Sequence, residues 1–203
     1  MTVQILYKNK DNSNNLVLFV DESFNISGLK KYLSSVEFFY ISDLLKNSDL
    51  KKNLLSFHIN SKKTIFLVSI KKNMQTSDME SLGAEFHGYI NSNKKSEYTV
   101  SSDSVNGKFE NFIGHFLHGL KLKSYEFNLY KSKKVTKLIS INVIGKKNKY
   151  TIKNELRFKA IEKGTFFARD LVSEPPNVLN PKEYVNRLLK LRKLGIKVTV
   201  YNE

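Results

Sequence analysis

The chain has 203 residues, of which 40% are apolar and 12% aromatic, a composition that supports a folded core and excludes a disordered tail. There is no cysteine, which excludes disulfides and thiolate zinc sites. No apolar run reaches the ~18 residues of a membrane span, and the opening MTVQILYKNKDNSNN lacks the layout of a signal peptide, so a cytoplasmic protein is expected.

VQILY near the start reads as a weak strand and LVLFV as a buried one, Leu16 to Val20. Residues 27–35 and 39–47 read as two short helices. Residues 54–59 and 64–70 flank NSKK, the pattern of a hairpin. The second run is apolar on both faces, which places it centrally in a sheet. Residues 76–92 form a helix with Ser77 as N-cap, Glu80 closing a capping box, and Met79, Leu82, Phe86 and Ile90 inward. Residues 96–102 alternate as a strand, 106–127 read as a helix, and 137–145 as another strand. In that second helix Phe109, Phe112, Ile113, Phe116, Leu117 and Leu120 share one face. The alternation predicts an α/β fold of three layers, a mixed or largely parallel sheet flanked by helices.

Residues 151–172 then read as a long helix with Ile152, Leu156, Ala160, Gly164, Phe167, Ala168 and Leu171 as its apolar stripe. At ~1.5 Å per residue such a helix spans about 33 Å, enough to connect two domains. Pro175 and Pro176 end it. Asn180 is a good N-cap, with Pro181 as first helical residue and Glu183 at the third position. The helix that follows, residues 181–194, has Tyr184, Val185, Leu188, Leu191 and Leu194 as its stripe and Gly195 as its stop. Residues 196–201 alternate as a strand. One helix and one strand bury too little to stand alone. The expected division is an α/β domain over 1–150, a connector helix and double-proline joint over 151–177, and the start of a further domain over 178–203.

The net charge is +15, and residues 146–203 hold 14 basic and six acidic side chains. Such a field attracts nucleic acid. The best basic clusters are Lys131, Lys133, Lys134 and Lys137, next to Tyr130, and Lys146, Lys147 and Lys149, next to Tyr150. They are the candidate nucleic-acid contacts, with aromatic rings for base stacking. Only four of the 34 basic residues are arginine, the residue of bidentate phosphate contacts. The bland account of the lysines is a solvated loop.

His115 and His118 lie three apart on one expected helix and His87 on another. No carboxylate sits at a matching step beside the pair, so no metal site is assigned. No G-x-S-x-G frame arranges a catalytic serine, and the nine glycines are too scattered for a phosphate-cradling loop. No catalytic residue and no cofactor is assigned to this chain.

The segment ARDLVSEPPNVLNPKEY, Ala168 to Tyr184, resembles the interdomain segment of the leucyl aminopeptidase family, the cytosol aminopeptidases. FLHGLKLKSYEFNLYKSKK, Phe116 to Lys134, is similar to a helix and loop of the same family, and nearly the whole chain is covered. The resemblance implies a non-catalytic N-terminal domain, similar to macro domains in fold, followed by the first residues of a catalytic domain. It implies that the parent enzyme removes N-terminal amino acids from peptides with two divalent metal ions, zinc or manganese, held in that catalytic domain. It also implies a homo-hexamer, and some bacterial members bind DNA. The metal-binding segments similar to KG-x-x-FD-x-GG and NTDAEGR are absent from this chain. The alternative is a basic nucleic-acid-binding or protein-interaction module.

Overall fold

The computed structural model describes residues 2–9, 14–93, 95–107, 109–132, 138–146 and 153–201. The chain divides into two compact units, residues 1–162 and 163–203.

In the first unit, the strands among the described residues are β1 (Thr2–Tyr7), β2 (Asn15–Asp21), β3 (Leu54–His58), β4 (Thr64–Ile70), β5 (Glu97–Ser101) and β6 (Leu138–Ile144). They form one sheet in the order β1-β6-β5-β2-β4-β3. All neighbours pair in parallel except β3, which runs antiparallel to β4 with Leu55 opposite Leu67. Parallel strands need helical crossovers, which cover both faces. The continuous apolar runs of β2 and β4 follow from that, because successive side chains point to opposite faces. Leu16, Leu18, Val20, Ile65 and Leu67 join one core with Ile41. Val17, Phe19, Phe66 and Val68 join a second core on the other face with Phe86, Phe116 and Leu120. Phe19 meets the rings of Phe112 and Phe116 edge-on at 5.2 Å. Every residue of β4 is buried, although it lies one strand in from the edge rather than at the centre.

Helix α1 (Ser35–Leu45) covers one face; α2 (Thr76–Asn91) and α3 (Phe112–Lys123) cover the other. Residues 27–29 make only a 3-10 turn, and α1 begins earlier than expected, at a capping box. There Ser34 N–H donates to Glu37 Oε2 at 2.9 Å and Glu37 N–H to Ser34 Oγ at 3.3 Å. The cap of α2 is also shifted. Gln75 N–H donates to Asp78 Oδ2 at 2.9 Å, so Glu80 is not the capping carboxylate and is available elsewhere. Helix α3 is shorter than expected at both ends. Asn111 adopts a left-handed conformation (φ 50°) just before it, a conformation asparagine tolerates. Phe109 therefore sits in the preceding loop, although it still packs against the core. Helices α2 and α3 approach to backbone contact at two glycines. A Cβ on Gly119 would lie 1.8 Å from the Glu80 carbonyl oxygen, and one on Gly83 1.8 Å from that of Phe116.

Helix α4 (Glu155–Ser173) starts in the first unit and continues in the second. Its expected apolar stripe is covered only in part: Leu156 is 81% exposed, Phe167 and Leu171 are half-buried, and no residue of the helix is fully buried. Residues 151 and 152 lie outside the described residues. In the second unit, α5 (Pro181–Leu189) begins as expected, with the Asn180 side chain accepting from Glu183 N–H at 3.0 Å. The chain then tightens into a 3-10 turn over residues 190–194, which ends at Gly195 with φ 81°. Arg187 ties the joint to α5, donating to Glu174 Oε1 at 2.9 Å and to Glu183 Oε1 at 3.2 Å. The expected strand at 196–201 does not form. A strand needs a neighbour for its ladder, and no described residue pairs with this one. The stripe of α5 is likewise not buried.

Candidate functional site

The close approach at Gly119 lays the start of α2 against α3 and brings Glu80 to the two histidines. Glu80 Oε1 lies 3.0 Å from His118 Nδ1 and 3.3 Å from His115 Nδ1. The carboxylate missing from the local spacing of the histidines is thus supplied from 35 and 38 residues away. An ionised carboxylate only accepts, so the rings present Nδ1–H to it. His118 is 6% exposed, and its Nε2 has no hydrogen-bond partner among the described residues. The Phe158 ring at the start of α4 packs on both imidazoles at 5.3 Å between centroids, edge-on to His115 and tilted on His118. This contact turns α4, so that Glu155, Phe158 and Glu162 lie inward of Leu156 and Ala160.

The cluster is joined by hydrogen bonds. Its nitrogens contact the carboxylate directly, which leaves no space for an ion between them. Among the described residues no group of three or more His, Asp or Glu side chains is placed to ligate one. His87 is buried on α2 outside this cluster, and burial, aided by the Lys123 charge, pushes its pKa below the usual 6.5.

Beside the cluster lies a cavity of about 480 Å³, between the edge strand β1, helix α3 and the first turns of α4. Val3, Ile5, Leu117 and Phe158 supply apolar wall, and His118 lines it as well. Two ion pairs border it. Lys159 Nζ is 2.7 Å from Glu155 Oε1, and Lys121 Nζ is 3.7 Å from Glu162 Oε1. Lys121 Nζ also donates to the Val3 carbonyl. Tyr7 completes the rim; burial, and then the Glu155 charge, push its hydroxyl up to about 12, so it stays a phenol at neutral pH. None of Tyr7, Lys121, Glu155 and Glu162 stands out in the sequence. The available signal was the seven-residue spacing of Glu155 and Glu162 on one helix face around Phe158.

Of the candidate nucleic-acid contacts, Lys131 and Lys146 are exposed, and Lys146 N–H donates to Asp103 Oδ1 at 2.8 Å. Lys133, Lys134, Lys137, Lys147 and Lys149 lie outside the described residues. No helix among the described residues is long and apolar enough to cross a membrane.

No protein-family model matches the chain. Its fold does have solved counterparts. A mutant of tomato leucine aminopeptidase superposes with a TM-score of 0.73 over 95% of this chain and 42% of its own, at 16% identity. The cytosol aminopeptidase of Coxiella burnetii superposes with a TM-score of 0.63 over 94% of this chain and 37% of its own, at 14% identity. The architecture is therefore the mixed α/β fold found in part of each of these aminopeptidase chains. In sequence, the chain is 37% identical over 94 residues to a probable cytosol aminopeptidase of Agrobacterium fabrum, covering 43% of this chain and 19% of that one. It is 26% identical over 157 residues to one of Shewanella oneidensis, covering 76% of this chain and 31% of that one. Its homologues are cytosol aminopeptidases, and it matches the N-terminal domain of an aminopeptidase. It spans 19% to 31% of the length of these curated relatives. Matches of this kind give no support to the alternative of a free-standing nucleic-acid or interaction module.

Proposed function

We propose that this chain serves as the assembly and regulatory N-terminal domain of a metal-dependent leucyl aminopeptidase, whose whole protein removes N-terminal amino acids from peptides in the cytoplasm. The observation that carries the reading is the homology to cytosol aminopeptidases across 76% of the chain. The joint at Ala168 to Tyr184 supports it. On this reading residues 1–150 are the non-catalytic domain, similar to macro domains, α4 is the connector, and residues 178–203 open the catalytic domain.

The parent reaction uses metal-activated water, and the metals are proposed to sit outside this chain. A solved neighbour, the bottromycin maturation enzyme BotP, is described in complex with Mn. The described residues here do not fit such a centre, because a catalytic metal site needs about three protein ligands and they offer no such group. No catalytic step is therefore assigned to these side chains.

The reading is tested by assaying leucine p-nitroanilide hydrolysis with Zn²⁺ or Mn²⁺ on two preparations, the isolated 203-residue chain and the complete gene product that contains it. Metal-dependent release by the complete product alone is expected. Release by the isolated chain, or by neither, overturns the proposal.

A further inference from the structure

We propose that the cavity between β1, α3 and α4 is a binding site for a free apolar α-amino acid, held as its zwitterion. Its volume of about 480 Å³ lies in the range of small-ligand pockets, ~300–1,000 Å³. The charges that border it balance, with Lys121 and Lys159 against Glu155 and Glu162. An anion such as phosphate would meet two carboxylates, and both lysines already face an acidic partner. A simple cation would meet two lysines. A ligand carrying one charge of each sign satisfies both sets at once.

The pair deepest in the site is also the loosest. Lys121 and Glu162 stand 3.7 Å apart, with side chains 22% and 19% exposed. That separation is longer than a hydrogen bond, so each keeps capacity for a ligand group. An α-ammonium donates to Glu162 while the α-carboxylate accepts from Lys121. The Tyr7 phenol lines the same space and offers a further donor. The ligand's side chain meets the Val3, Ile5, Leu117 and Phe158 wall, which selects an apolar residue. Phe158 also packs on His115 and His118, so occupancy bears directly on how the start of α4 is seated.

Binding itself does not depend on the proposed function. Its meaning does, because an aminopeptidase releases free amino acids and the site would then sense product. The test titrates L-leucine into the isolated chain and follows amide and His118 ring resonances by NMR. Saturable shifts around Val3, Gly114 and His118 are expected. N-acetyl-L-leucine, which lacks the ammonium, and L-leucinamide, which lacks the carboxylate, should each bind at least about tenfold more weakly, the equivalent of one lost charged hydrogen bond. Glu162→Gln should weaken leucine by a similar factor while keeping the wild-type spectrum and thermal midpoint. No saturation by ~10 mM leucine, a Kd more than about tenfold above the millimolar range, overturns the proposal. So does leucinamide or the acetyl derivative binding as tightly as leucine. Leucine binding to a chain whose complete gene product is inactive would sink the enzyme reading and leave the site standing. An active product whose N-terminal chain ignores leucine would do the reverse.

Discussion

Gly119 decides more than its size suggests. With no side chain, it lets α3 touch the carbonyl of Glu80, and that contact points the Glu80 carboxylate at His115 and His118. Gly119→Ala forces a methyl into a space 1.8 Å from a backbone oxygen. A destabilisation of about 1–3 kcal/mol is expected from overpacking, read by denaturant unfolding. A variant as stable as the wild type would show that the two helices part freely. His87 carries a separate expectation. Its folded pKa lies below the usual 6.5, so the unfolded state takes up the proton first. Its contribution to stability is complete above pH 6.5 and is lost as the pH falls from there towards the folded value. Unfolding curves above and below that pH should show the wild type weakening in acid, and His87→Asn should lose that part of the slope. An identical slope in the variant would remove His87 as the cause.

At the scale of elements, local chemistry placed the strands of the sheet closely, while the start of α1, the cap of α2 and both ends of α3 were displaced. Asn180, Pro181 and Gly195 punctuate the end of the chain as read, because capping and left-handed turns depend on a few adjacent residues. Asn180→Ala is expected to weaken the cap of α5 by about 1 kcal/mol, seen as faster amide exchange in its first turn. Unchanged exchange would mean that another group caps the helix. The orientation of α4 was misread for a physical reason. Helical periodicity names an apolar stripe, but the helix is turned by Phe158 packing on two histidines, which lie 43 and 40 positions earlier in the chain. The strand expected at 196–201 failed for a related reason. Alternation marks a residue pattern suited to a ladder, and a ladder needs a partner.

At the scale of the whole molecule, the proposed parent enzyme should assemble. Light scattering on the complete gene product is expected to give a mass near six subunits, and a monodisperse monomer would contradict the assembly role. The sequence by itself determined the α/β class, the buried character of β2 and β4, and the likeness to aminopeptidases. Those rest on periodicity and on contiguous motifs, which nearest neighbours along the chain encode. The Glu80–His115–His118 cluster and the cavity were decided only by tertiary structure. Their groups come from β1, α2, α3 and α4, and no local spacing records that two glycines would let two of those helices close to backbone contact.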